Sequence, residues 1–298
     1  MSLKKVIIYS SLHLLMVVGF VTSSFAQGFE KYISTPQSVA LQIEGGDVSI
    51  EVEINKKKFR FGLDTGASGQ AYVTPELVQL LKLPTVRQMT LSDGSGRNSR
   101  KTDVVLIDSL KLGKTSFKKV QAPVLESQER PAGPTKKTYG TIGFELFKDL
   151  LVTLNFPQHK LLFGKGALPI ADGKTILNYR VEKYAPYIPF QIGDAQFEGM
   201  VDTGGSGGFL IPLSMASKLK FRAGPKVVGK ISSITNTYEL LQGEVEGNAQ
   251  IGGITLENPV IRFSEILRHV NIGREILHQF AITFDHKNQR IAFALPRQ

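Results

Sequence analysis

The 298-residue chain has no cysteine, so disulfide scaffolds and cysteine-ligated zinc sites are excluded. Histidine is scarce too. The five are His13, His159, His269, His278 and His286, and none belongs to an H-E-x-x-H pair. A haem or metal enzyme is therefore disfavoured, and no cofactor and no metal are expected. Long helical periodicity is also lacking, with candidates only at 75–83, 212–219 and just after Gly143 and Gly273. What remains is an ordinary globular mixture, 42% hydrophobic and 21% charged, with 29 Gly and 14 Pro. The length suits one large domain or two of average size.

The amino terminus stands apart. Lys4 and Lys5 precede an apolar run over 6–21, and Ser24-Phe25-Ala26 supplies small residues at the spacing of a cleavage site. Residues 1–26 thus read as a secretory signal peptide, which predicts export to the periplasm or the exterior. After cleavage no stable membrane span is expected; a retained anchor is the alternative. No cysteine follows the run, so lipid attachment there is excluded. Cleavage removes two lysines and no acid, lowering the net charge from +10 to +8. The basic residues are scattered, with short clusters at 56–58, 118–119 and 136–137. They read as a solvated exterior and not as a nucleic-acid footprint.

The rest reads as short strands. Residues 48–54 alternate apolar and polar, Asn55-Lys56-Lys57-Lys58 makes a turn, and Phe59–Leu63 resumes, which is the pattern of a β-hairpin. Many such strands punctuated by Gly argue for an all-β fold.

The chain also repeats itself. Gly62-Leu63-Asp64-Thr65-Gly66-Ala67-Ser68 is matched by Met200-Val201-Asp202-Thr203-Gly204-Gly205-Ser206. Ile142-Gly143-Phe144-Glu145 is matched by Ile272-Gly273-Arg274-Glu275, and the match runs without a gap to Phe163 and Phe293. The stretch 164–174 breaks both periods, so the halves are expected to be 27–170 and 171–298.

Two Asp-Thr-Gly triplets in equivalent places of a duplicated chain point to paired carboxylates. Turn formation explains Asp and Gly, but not the recurrence of Thr and the later Ser. Two carboxyls a few ångströms apart cannot both ionise cheaply and come to share a proton. The ionised member can then draw a proton from water while the protonated one donates to a carbonyl oxygen. Gly66 and Gly204 allow tight turns with no Cβ against the carboxylates. Thr65 and Thr203 are placed to bond across between the loops, and Ser68 and Ser206 to reach the outer carboxylate oxygens.

These residues resemble the pepsin/retropepsin superfamily of aspartic proteases, and more closely the bacterial exported aspartyl proteases with tandem retropepsin-like domains. The resemblance extends over nearly all of the chain beyond residue 26, including Thr141-Ile142-Gly143 and Asn271-Ile272-Gly273. It implies a bilobal fold of two pseudo-symmetric β-barrel lobes, with Asp64 and Asp202 as the catalytic pair. Gly143 and Gly273 become framework, a hairpin flap covers a central cleft, and a polypeptide lies between the lobes. The shared-proton behaviour expected here follows the established carboxyl pair of that superfamily. Duplication within one chain implies a monomer. The candidate first flap, 89–100, has no Tyr, whereas Tyr238 lies in the corresponding second region.

Two other readings compete. One is a peptide-binding module that keeps the fold without turnover. The other takes Gly204-Gly205-Ser206-Gly207-Gly208 as the G-x-S-x-G elbow of a serine hydrolase, which needs a parallel βα framework.

Overall fold

The structure is a computed structural model describing residues 28–92, 99–125, 137–232 and 237–295. The expected signal peptide and the tip of the first candidate flap, 93–98, lie outside the described residues. Among those described, no helix is long and apolar enough to cross a membrane. The fold is all-β, with two large mixed sheets and a smaller antiparallel one.

The first expected hairpin is present. Strands Asp47–Ile54 and Lys57–Asp64 pair in register, joined through Asn55 and Lys56, both at positive φ (51° and 61°). Two successive left-handed residues match the twist of a tight hairpin. The second strand delivers Asp64 at its end. Its neighbour is the strand Gly140–Gly143, which runs parallel to it with Leu63 opposite Ile142. Strand Ala71–Val73 lies antiparallel on the other side of Gly140–Gly143.

The same arrangement recurs further along the chain. Strand Ala195–Val201 runs parallel to Val270–Ile272, with Val201 opposite Ile272, and Phe209–Pro212 lies antiparallel beyond. Each of these two sheets is an open ladder among the described residues.

Both halves contribute to the third sheet. Leu151–Asn155 pairs antiparallel with Ala281–Asp285, so Thr153 faces its own counterpart in the repeat, Thr283. The two hydroxyl oxygens are 2.8 Å apart and buried, each satisfying the other. Strands Ile33–Ala40 and Lys160–Gly166 extend the sheet on one side, and Arg290–Ala294 and Ile176–Asn178 on the other. One apolar cluster runs through both halves, and Phe144 meets Phe284 edge-on at 4.6 Å across the boundary. Such an aromatic pair contributes about 1 kcal/mol beyond its buried area.

Helices are short, as expected. Pro75–Leu81 starts on Thr74, whose hydroxyl accepts from the Leu77 amide, and ends on Lys82 in the left-handed region. The other expected helices are a 3-10 turn at Leu213–Lys218, another at Phe144–Phe147, and one α-turn at Arg274–Leu277.

His286 follows the Ala281–Asp285 strand and lies inside, its ring 4.2 Å from that of Phe144. Burial holds its pKa down at about 4, against a small opposing pull from Asp285. The unfolded chain binds this proton below an ordinary histidine value of about 6.5, whereas the folded chain does not until about pH 4. Folding stability should therefore fall as pH drops through that window. His286→Leu should flatten the fall by about 3 kcal/mol, read by urea denaturation across the same pH range. An unchanged slope would show that the imidazole is not buried neutral.

Candidate active site

The Asp-Thr-Gly loops close both Asp-bearing strands and face each other. Thr65 donates its hydroxyl to the Val201 carbonyl at 2.6 Å, and Thr203 donates to the Leu63 carbonyl at 3.0 Å. Each hydroxyl also accepts from the opposite backbone: Thr203 N–H reaches Thr65 Oγ1, and Thr65 N–H reaches Thr203 Oγ1, both at 3.0 Å. Both threonines are essentially inaccessible, so the four bonds form away from competing water.

This crossed lattice brings the carboxyls together. Asp64 Oδ1 accepts from the amides of Gly66 at 2.8 Å and Ala67 at 3.1 Å. Asp202 Oδ1 accepts from Gly204 at 2.9 Å and Gly205 at 3.0 Å. Each carboxyl lies against the glycine of the opposite loop, Asp64 by Gly204 and Asp202 by Gly66, close enough for the two to interact. Burial pushes both carboxyls above the usual carboxylate range, and for Asp202 the charge of Asp64 adds to the rise. The backbone donors pull the other way, toward ionisation. The outcome is a pair holding a proton that isolated carboxylates would have released, a property of the pair and not of one residue.

Close approach explains the glycines. A Cβ on Gly204 would stand 2.5 Å from Asp64 Oδ2, and one on Gly66 would stand 2.7 Å from Asp202 Oδ1. Real Cβ atoms do not approach carboxylate oxygens so closely, so the loops would have to separate. Gly204→Ala should accordingly cost about 1–3 kcal/mol of stability, the usual cost of overpacking a close contact. A denaturant midpoint reads this, and an unchanged midpoint would show that the two loops do not approach so closely.

Gly143 and Gly273 sit behind the loops. A side chain on Gly143 would collide with the carbonyl of Gly69, and one on Gly273 with the carbonyl of Gly207. The turns that follow grip the loops through backbone bonds, Arg274 N–H to Gly205 O at 3.0 Å and Glu275 N–H to Gly207 O at 3.1 Å.

The serines are placed otherwise than expected. The Ser68 hydroxyl lies 3.3 Å from Tyr72 Oη, and Tyr72 in turn donates to the Ser68 carbonyl. Among the described residues no hydrogen bond joins Ser206 to Asp202. The outer oxygen Oδ2 of Asp202 accepts instead from Asn271 Nδ2 at 2.8 Å. A serine two residues past its loop glycine has turned away, whereas the strand Val270–Ile272 passes directly alongside. Asn271 was legible only as a polar residue before Ile272-Gly273, with Thr141 as its counterpart.

Arg274 was missed entirely. It stands where the first half has Phe144, is 8% exposed, and forms an ion pair with Asp47 of the first hairpin. Its only signal was a charge replacing an aromatic in an otherwise close repeat. The elbow reading of Gly204-Gly205-Ser206-Gly207-Gly208 fails on local structure, because the strand Phe209–Pro212 follows the loop where a helix is required. Among the described residues, no group of three or more His, Asp or Glu could hold a metal ion.

Residues 50–146 match the family model described as aspartyl protease. The match takes in Asp64, Thr65, Gly66 and Gly143 and ends before Asp202, so this part of the chain is aspartyl-protease-like. No curated protein matches the chain.

Proposed function

We propose that the chain is an aspartic endopeptidase with one catalytic carboxyl from each of two retropepsin-like halves, dividing near residue 170. Asp64 and Asp202 act together on a water held between them. One carboxylate takes a proton from that water as its oxygen attacks the scissile carbonyl, while the other carboxyl gives its proton to the carbonyl oxygen. The carboxyl now holding the water's proton gives it to the amide nitrogen, the other carboxylate takes a proton from a hydroxyl of the tetrahedral gem-diol, and the C–N bond breaks to an acid and an amine with one proton again on the pair. Thr65 and Thr203 hold the two loops in register, and Asn271 orients Asp202. The substrate is a polypeptide in extended form, lying over the carboxyls between the two halves. The protein acts as an exported monomer.

One observation carries this reading: two Asp-Thr-Gly loops, more than a hundred residues apart, joined by reciprocal threonine hydrogen bonds with their carboxyls in contact. A peptide-binding module without turnover would not need buried carboxyls that share a proton. Incubation with an unfolded polypeptide in mildly acid buffer should give new amino termini, and a statine-type inhibitor, which mimics the tetrahedral intermediate, should suppress them. Intact polypeptide after prolonged incubation, with the inhibitor bound, would favour the binding module.

A further inference from the structure

An open groove of about 440 Å³ lies on the second half, lined by neither Asp64 nor Asp202, and the proposed hydrolysis makes no use of it. It adjoins the candidate site through the strand Ala195–Val201. Tyr187 on its wall pairs with Met200, two residues before Asp202.

The floor of the groove is aromatic. Phe197 and Tyr187 are 8% and 5% exposed, and Phe197 stacks on Phe190 with centroids 5.5 Å apart. The rim is basic. Arg180 bonds Glu198 through two nitrogens and reaches Glu182 as well, one positive charge against two acids, of which Glu198 lines the groove. Lys218 and Arg268 are exposed and have no carboxylate partner among the described residues; Lys218 Nζ lies over the Phe197 ring at 5.9 Å. The groove thus combines an apolar floor with two exposed cations, Lys218 and Arg268, that no described carboxylate pairs, and a net local charge of about one positive unit once Glu182 is counted.

The first half carries different contacts at the matching end of its repeat. Tyr139, four residues before Gly143 as His269 is four before Gly273, packs edge-on against Phe59 at 5.3 Å. Lys137 lies over that tyrosine at 5.4 Å and is ion-paired with Glu76. In the second half, His269 turns its ring to Tyr187 instead, at 5.6 Å, and the lysine on this side is left without a carboxylate.

We infer that the groove binds an acidic polypeptide segment. An Asp or Glu carboxylate sits between Lys218 and Arg268, and a neighbouring apolar side chain lies against Phe197 and Tyr187. Charge complementarity selects the acid, and the apolar floor selects a chain with hydrophobic side chains. A single-stranded nucleic acid fits less well, because Phe197 is covered by Phe190 and flanked by Lys218 and so offers no open face for base stacking. Binding here requires no turnover and stands apart from the proposed hydrolysis.

The test uses the full chain carrying Asp64→Asn, so that no ligand is consumed. Two dye-labelled peptides are compared by fluorescence anisotropy, one alternating Glu with Leu and Phe, the other with each Glu changed to Gln. The acidic peptide should bind about tenfold more tightly at low salt, and its advantage should shrink as salt is raised. Lys218→Gln together with Arg268→Gln should erase the difference; both are exposed, and a thermal melt checks that the fold is kept. Equal affinity for the two peptides, or a preference that survives the double change, would overturn the proposal. So would a short single-stranded oligonucleotide that displaces the acidic peptide at equal or lower concentration. Absence of cleavage in the unmodified protein would leave this result untouched, and loss of the peptide preference would leave cleavage untouched.

Discussion

Asp64→Asn and Asp202→Asn should each reduce kcat/KM on a peptide substrate by about 10⁴-fold, the upper range for removing a general acid–base group. One carboxyl cannot at once accept the proton of the attacking water and donate to the carbonyl oxygen. An amide in place of either aspartate keeps the shape of the site but holds no exchangeable acid proton and no negative charge. The loss should fall on kcat, since asparagine keeps the size and shape of the side chain it replaces.

Stability separates a dead enzyme from an unfolded one. The carboxyl of Asp202 is raised by burial and by the neighbouring Asp64 charge, so the folded state keeps a proton that the unfolded chain releases. Stability contributed by this protonated group is therefore lost as pH climbs from the ordinary carboxylate range toward the raised value. Asp202→Asn removes that loss, and the variant should be more stable than the parent at neutral pH while differing little in strong acid. Urea denaturation at the two extremes measures this. Full activity in either asparagine variant would rule out a shared pair. A destabilised Asp202→Asn protein at neutral pH would show that the carboxyl is not held protonated by burial.

Thr65→Val and Thr203→Val should carry the largest cost to folding. Each hydroxyl donates to a carbonyl of the opposite half and accepts from an amide there, all within the interior. Valine matches threonine in shape but strands one buried carbonyl and one buried amide, at about 1–3 kcal/mol for each unsatisfied group. A loss of about 3 kcal/mol per variant is expected, with the double variant losing less than the sum because the same lattice is broken twice. Thr→Ser at either position retains the hydroxyl and should restore most of the stability. Denaturant midpoints for the Val and Ser series decide it: if the two run alike, the crossed hydrogen bonds contribute nothing. Activity should fall along with stability in the valine variants, since the loops that present the carboxyls lose their mutual register.

Much of this was legible from local pattern. Alternation over 48–54 and the Asn55-Lys56 turn foretold the hairpin that ends on Asp64, because strand period and turn chemistry act between near neighbours. The gapless match around Gly143 and Gly273 foretold that equivalent strands would recur, and Thr153 does face Thr283. Details that depend on approach in space were not legible. The expectation for Ser68 and Ser206 assumed that a hydroxyl near a carboxylate in sequence reaches it in space. The structure gives the outer oxygen of Asp202 to Asn271, sixty-nine residues away. The ion pair of Arg274 with Asp47 joins residues 227 apart, and no local window holds both.

Sequence alone determined the repeat, the strand-rich character and the identity of the two Asp-Thr-Gly loops, since periodicity and turn preference are written between residues a few positions apart. Only the tertiary structure decided which carboxylate oxygen meets which donor, that the smaller sheet is shared by both halves, and that Arg274 pairs with Asp47. Those outcomes rest on distances between segments remote along the chain. Such distances follow from how the side chains of the whole core pack, and not from the preferences of any one stretch.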